Sequence, residues 1–223
     1  MVTIKNIEFN LDDLDFSNLD GLDFSNMQEK SVTEKHDEKV YKKMMKFTDK
    51  HYKQAKCVKG ILNIKLPEKD QEWFFVSQNK FNQFAFTLAV LELAGKIEEL
   101  YISSYNIKTD LLESIKHLLN TDKIGYCKII ITYSIQARTP KIYSRLIELA
   151  KEQKNVDVIL CDNHTKLSCI KTKEHYYVVS GSGNFTATNT KMEQYQFINS
   201  KELYEFYVNW FNEQETKQEY LKS

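Results

Sequence analysis

The chain has 223 residues, 42% of them apolar and 13% aromatic, with six glycines and two prolines, which excludes a disordered or fibrous polymer and suits one globular domain with an appendage. Its 31 basic and 31 acidic residues cancel, but unevenly: residues 1–38 hold ten Asp and Glu against three Lys, so this stretch carries minus seven and the rest plus seven. A mildly basic body fits a polyanionic ligand; no stretch approaches membrane-spanning length and the start MVTIKNIEFNLDDLD lacks the cationic-then-apolar order of a secretory signal, so we expect a cytoplasmic protein without a membrane partner.

Residues 1–38 read as an acidic N-terminal tail in which the pentapeptide LDFSN at 14–18 recurs at 22–26. Two readings stay open: a flexible solvated leader, or an acidic and apolar segment that docks on a protein partner or covers the chain's own basic groove in place of nucleic acid. Residues 39–58 then turn basic. Lys39, Lys42, Lys43, Lys46, Lys50, Lys53 and Lys56 recur at helical spacing around Val40, Met44, Phe47 and His51. An amphipathic helix packed on the domain and a helix contacting phosphates both fit that pattern.

Residues 59–223 form the main domain. Strands are expected over 60–66 and 73–76, a helix over 80–94, a strand over 99–103, a helix over 109–119, a strand over 126–133 and a helix over 140–152. Further strands follow over 156–161, 164–170, 176–180 and 194–198, then an amphipathic helix over 201–213. Such alternation implies an α/β fold with a mixed, largely parallel sheet covered on both faces. Cys57, Cys127, Cys161 and Cys169 show no metal-ligand spacing and read as buried, reduced thiols, so no metal is expected.

The chemistry concentrates in residues 164–193. His164 and Lys166 stand two apart, so on an extended strand both side chains leave one face. A nucleophilic imidazole beside an ammonium suits attack on a phosphodiester: the imidazole supplies the electron pair and the ammonium offsets charge building on the phosphoryl oxygens. Fifteen residues on, the turn Gly181-Ser182-Gly183-Asn184 offers a hydroxyl, an amide and backbone N–H groups to the same phosphate. Glu193 is placed to accept from the second nitrogen of His164 and set its tautomer.

These residues resemble the signature of the phospholipase D superfamily: His-x-Lys, an Asp five positions later, and a downstream Gly-Ser-x-Asn. His164, Lys166, Gly181, Ser182 and Asn184 match it, and Glu193 falls where the family often has an acid; Lys171 occupies the Asp position. The resemblance covers roughly residues 70–215 and implies a phospholipase D-like α/β/α sandwich. It implies a metal-independent phosphodiester hydrolase without cofactors, working through a phosphohistidine. The chain has one motif copy, and family members with one copy build a full site as homodimers, here through the motif face.

With a basic body and no acyl-binding insertion, the expected substrate is nucleic acid and the expected activity a DNA endonuclease, similar to phage and mobile-element proteins of the superfamily. The alternative is a degenerate, non-cleaving module that binds nucleic acid or a host protein. His164, Lys166, Asn184 and Glu193 are the expected catalytic residues. Ser182, Gly181, Gly183, Lys171 and Arg138 are the expected substrate contacts. Tyr105, Asn106 and Lys108, after the expected strand 99–103, sit where loops of parallel sheets meet ligands. His175 reads as a turn residue.

Overall fold

The computed structural model describes residues 65–78, 82–186, 192–217 and 219–220. The acidic tail, the basic segment and Cys57 lie outside them, as does most of the expected strand 60–66; Lys65 and Leu66 themselves join no strand.

The order is β1 (Glu72–Gln78), α1 (Phe84–Ala94), β2 (Ile97–Ser104), α2 (Thr109–Asn120), β3 (Ile124–Thr132), α3 (Ile135–Arg138), α4 (Pro140–Glu152), β4 (Val156–Cys161), β5 (Leu167–Lys171), β6 (Tyr176–Gly181), β7 (Met192–Asn199), α5 (Lys201–Lys217) and β8 (Glu219–Tyr220). The strands make one sheet in the order β1-β7-β6-β5-β2-β3-β4-β8.

The α/β class and mixed sheet are as expected, but less of the pairing is parallel. Only the pairs β2–β3 and β3–β4 are parallel, and each remaining pair is antiparallel. Connection length accounts for this. Helices α2 to α4 give the room for parallel crossovers between β2, β3 and β4, whereas β5 and β6 are joined across residues 172–175, which permits only an antiparallel return.

Alternate strand residues feed two cores. Ile102, Ile129, Ile131 and Val158 pack against Phe84 and Phe86 of α1, Ile115 of α2 and Leu146 of α4. Tyr101, Ile130, Ile159, Cys169 and Val178 face the other way, against Tyr204 and Phe211 of α5. This period of two is why the apolar central strands read as continuous runs, and it gives three layers, α/β/α. Cys127, Cys161 and Cys169 are free and buried, and burial pushes the thiols of Cys127 and Cys169 up and that of Cys161 to about 11. Among the described residues no helix is long and apolar enough to cross a membrane.

Element ends follow local chemistry. Pro140 opens α4, where its missing N–H costs nothing, and Gly95 closes α1 in the left-handed region at φ 77°. The C-terminal ends of β2, β3 and β4 meet the start of β5, the end of β6 and the start of β7 along one edge of the sheet. Open α/β sheets bind ligands along such an edge.

Candidate active site

Residues 163–166 form a loop between β4 and β5, so His164 and Lys166 precede the strand on which the sequence put them. The cause is Asn163, a residue the sequence reading passed over. It is buried, its Nδ2 donates to Ser103 Oγ (3.0 Å) and to the Ser104 carbonyl (3.1 Å), and its Oδ1 accepts from Thr165 N (3.0 Å) and Thr165 Oγ1 (2.7 Å). The Thr165 hydroxyl also bonds that of Ser103. Thr165 N is thereby held by a side chain in an Asx-type turn instead of by the sheet. The turn fixes the loop carrying His164 to the end of β2.

His164 is exposed, and its ring lies against Tyr105, centroid to centroid 4.8 Å. The guanidinium carbon of Arg138 sits 4.2 Å from the centroid of that same Tyr105 ring. Arg138 Nε donates to Ser134 Oγ (3.0 Å) and Nη2 to the Tyr105 carbonyl (3.2 Å). The short helix α3, not expected from the sequence, carries Arg138 to this position.

Lys166 is half-buried and its Nζ donates to the His164 carbonyl at 3.1 Å. Burial lowers its pKa below the usual lysine value, against the opposing pull of the Glu193 carboxylate. The Lys166 carbonyl accepts from Gly181 N at 3.3 Å, which ties the His-x-Lys loop to the end of β6. Ser182 donates its hydroxyl to Glu193 Oε2 and accepts from Gln194 N at 3.0 Å. Glu193 was expected to orient His164; here its hydrogen bond comes from Ser182, and its charge acts on Lys166.

Gly183 is buried and Asn184 half-buried. Asn184 Oδ1 is buried and has no hydrogen-bond partner among the described residues, the kind of unpaired polar atom that calls for an explanation. The segment around it is fixed from two sides. Phe185 bridges Ile107, two residues after Tyr105, and Asn82 Nδ2 donates to the Thr186 carbonyl at 2.6 Å. At the start of α1, Gln83 Nε2 likewise donates to the Val179 carbonyl at 2.6 Å.

Lys171 is not part of this group. It ends β5 opposite Glu99 at the start of β2, while Leu167 at the other end of β5 is opposite Ser103. Five strand residues put roughly 13 Å between those ends. There Lys171 pairs with Glu99 at 2.6 Å and Glu98 at 3.4 Å, so the expected phosphate contact is corrected to an ion pair within the sheet. His175 lies in the β5–β6 turn beside Asn199, also away from His164. Asn106 and Lys108 stay in the β2–α2 loop, with Lys108 exposed. Among the described residues no group of three or more His, Cys, Asp and Glu side chains is placed to share a metal ion.

The site therefore sets an exposed imidazole, a partly desolvated ammonium, a serine–glutamate pair and an arginine along one sheet edge. The fold on which it stands is the phospholipase D-like fold. The chain is similar to Nuc, a phospholipase D family member from Salmonella typhimurium, with a TM-score of 0.50 and 16% identity over 69% of this chain and 100% of Nuc. It is similar in the same degree to NucT from Helicobacter pylori: TM-score 0.50, 16% identity, 67% of this chain and 98% of NucT. The polyphosphate kinase of Porphyromonas gingivalis gives a TM-score of 0.51 at 8% identity, over 66% of this chain and 26% of the kinase. No protein-family model and no curated protein matches the sequence. At these identities likeness defines the fold, and what the fold does here has to be argued from the site.

Proposed function

We propose that this chain is a member of the phospholipase D superfamily that hydrolyses phosphodiesters, and most concretely a metal-independent DNA endonuclease acting as a homodimer. One observation carries the reading. On a phospholipase D-like fold, the loop bearing His164 and Lys166 is joined by its own backbone to the strand end bearing Gly181 and Ser182, so the separated pieces of the signature meet at one sheet edge.

In this reading a ring nitrogen of His164 attacks phosphorus, forming an N–P bond as the P–O bond to the leaving alcohol breaks. The partner's His164 arrives protonated and gives its proton to that oxygen. It then takes a proton from water, which attacks phosphorus, breaks the N–P bond and releases the phosphate monoester. Each copy of the chain holds one such histidine, so a two-fold pair supplies nucleophile and acid from one sequence, and two neighbouring imidazoles resist carrying charge together. Lys166 and Asn184 stabilise the phosphoryl oxygens, and Ser182, Gly181, Gly183 and Arg138 line the approach. The half-buried ammonium of Lys166 acts more strongly on a developing charge than a fully solvated one.

The test is cleavage of plasmid and single-stranded DNA in EDTA by the full chain, with His164→Ala alongside. Cutting that survives EDTA and is lost in the variant is the expected result. DNA binding without cutting would transfer the reading to a non-cleaving nucleic-acid module.

A further inference from the structure

The chain has two arginines, and they are held in opposite ways. Arg145 lies between Glu113 and Glu148 and is neutralised by both. Arg138 has no carboxylate partner among the described residues. Its contacts are all neutral: the Ser134 hydroxyl, the Tyr105 carbonyl and the face of the Tyr105 ring. The side chain is exposed, and nothing among the described residues takes Nη1.

Fixing a guanidinium by three contacts while leaving its charge uncompensated is a poor way to stabilise a fold and a good way to prepare an anion site. The rotamer freedom is already surrendered, and with Nε and one Nη2 hydrogen engaged, the Nη1 hydrogens and the second Nη2 hydrogen are left for a planar or tetrahedral oxyanion. Position adds to this. Tyr105 touches both Arg138 and the His164 ring, so guanidinium and imidazole lie at most about 9 Å apart. A nucleic acid strand carries a phosphate every ~3.4 Å of its axis, so a phosphate neighbouring the attacked one falls within that reach.

We infer that Arg138 forms a second anion subsite, binding a backbone phosphate next to the one that His164 attacks, and that Tyr105 is the positioning residue that sets the spacing. The inference rests on the phosphodiesterase reading and narrows its substrate class: the site takes a chain of phosphodiesters and discriminates against an isolated one. Lysine at position 138 would keep the charge but lose the ring stacking and the forked donors.

The test measures binding first and turnover second. Binding of a fluorescent single-stranded oligonucleotide by the full chain, in the His164→Ala background, is followed against salt. Arg138→Gln is expected to weaken binding about tenfold at low salt and to reduce the slope of log K on log salt by about 0.7, the value of one phosphate contact on a single strand. Tyr105→Leu should weaken binding similarly, with Tyr105→Phe restoring it, because the phenyl ring keeps both stacking faces. With His164 intact, Arg138→Gln should reduce kcat/KM on the oligonucleotide at least tenfold more than on bis(p-nitrophenyl) phosphate. An unchanged salt slope, equal losses on the two substrates, or no oligonucleotide binding by the parent chain would each overturn the subsite. Binding with the expected slope change but without cleavage would leave the subsite standing and remove the hydrolase reading.

Discussion

Lys171 Nζ lies 2.6 Å from Glu99 Oε1 across the β2–β5 ladder, at the end of β5 remote from His164. Glu99 also accepts from the hydroxyls of Tyr101 (3.1 Å) and Tyr204 (3.0 Å), so one carboxylate joins two strands and helix α5. Lys171, at the position where the superfamily signature has Asp, thus fastens β5 to the carboxylate through which β2 is tied to α5. Burial alone would raise the pKa of Glu99, but Lys171, Tyr204 and Tyr101 together hold it below the usual carboxylate value.

That lowered pKa sets a direction for stability against pH. A carboxylate whose folded pKa is depressed contributes stability above its unfolded value, near 4.5, and loses it as pH falls through the folded value. Lys171→Met is expected to cost about 1–2 kcal/mol at pH 7, less than a fully buried pair because the partners are partly solvated. The deficit should shrink as urea midpoints are taken down towards pH 3. DNA cutting at 25 °C should survive the substitution, and loss of cutting in a folded variant would return Lys171 to the phosphate.

Asn163 uses both ends of its amide to hold the loop that carries His164. Asn163→Ala removes a partner from the buried Ser104 carbonyl and from the part-buried Thr165 N, for about 1–3 kcal/mol. It should also lower kcat by roughly 100-fold, because a small displacement of a nucleophile is costly in rate. Thermal unfolding and single-turnover cleavage separate the two effects. A lower midpoint with an unaltered single-turnover rate would reduce Asn163 to a structural residue.

The environment of Lys166 sets an alkaline limit on phosphate binding. Burial lowers its pKa and Glu193 partly offsets this, and the charged form is the one that stabilises phosphoryl oxygens. Binding of a single-stranded oligonucleotide by the His164→Ala variant is therefore expected to weaken at a lower pH than an ordinary lysine would dictate. Glu193→Gln in that background removes the offsetting carboxylate, so the alkaline limb of binding should move lower still. A limb that stays put or moves up would show that Glu193 does not act on Lys166.

How far the sequence reached can be judged residue by residue. The runs in β2, β3 and β4 are apolar at every step because both faces are covered, which makes them visible without partners. That the His164–Lys166 loop runs beside the Gly181-Ser182 turn, joined to it through Gly181 N and the Lys166 carbonyl, followed from the resemblance to the superfamily signature. Side-chain pairings did not. Whether Glu193 meets His164 or Ser182 depends on the β6–β7 register, and whether Lys171 meets phosphate or Glu99 depends on which end of β5 it occupies. Neither is carried by periodicity. Tyr105 and Asn163 were missed as organisers of the site for different reasons. The contact of Tyr105 with His164 spans 59 positions, whereas Asn163 followed by Thr165 after an apolar strand was a readable Asx-turn signal.

Gly181 shows a motif residue with a packing role beside the one first assigned. The sequence suggests a glycine that lets backbone approach phosphate, whereas a Cβ at this position would meet Gln194 O at 2.3 Å and Tyr195 Cδ1 at 2.6 Å. The neighbour that excludes a side chain is strand β7, opposite Gly181 in the register. Alanine here would push β6 from β7 where Ser182 bonds Glu193 and where Gly181 N reaches Lys166. Overpacking of this kind costs about 1–3 kcal/mol and moves backbone, so Gly181→Ala should lower both the unfolding midpoint and kcat. Ser182→Ala is the contrasting variant, since it deletes the hydroxyl and leaves the strands in place. A larger loss of stability in Gly181→Ala than in Ser182→Ala is expected from denaturant titration. Equal stabilities would mean that the two strands separate without cost, and the glycine would then owe its place to the ligand after all.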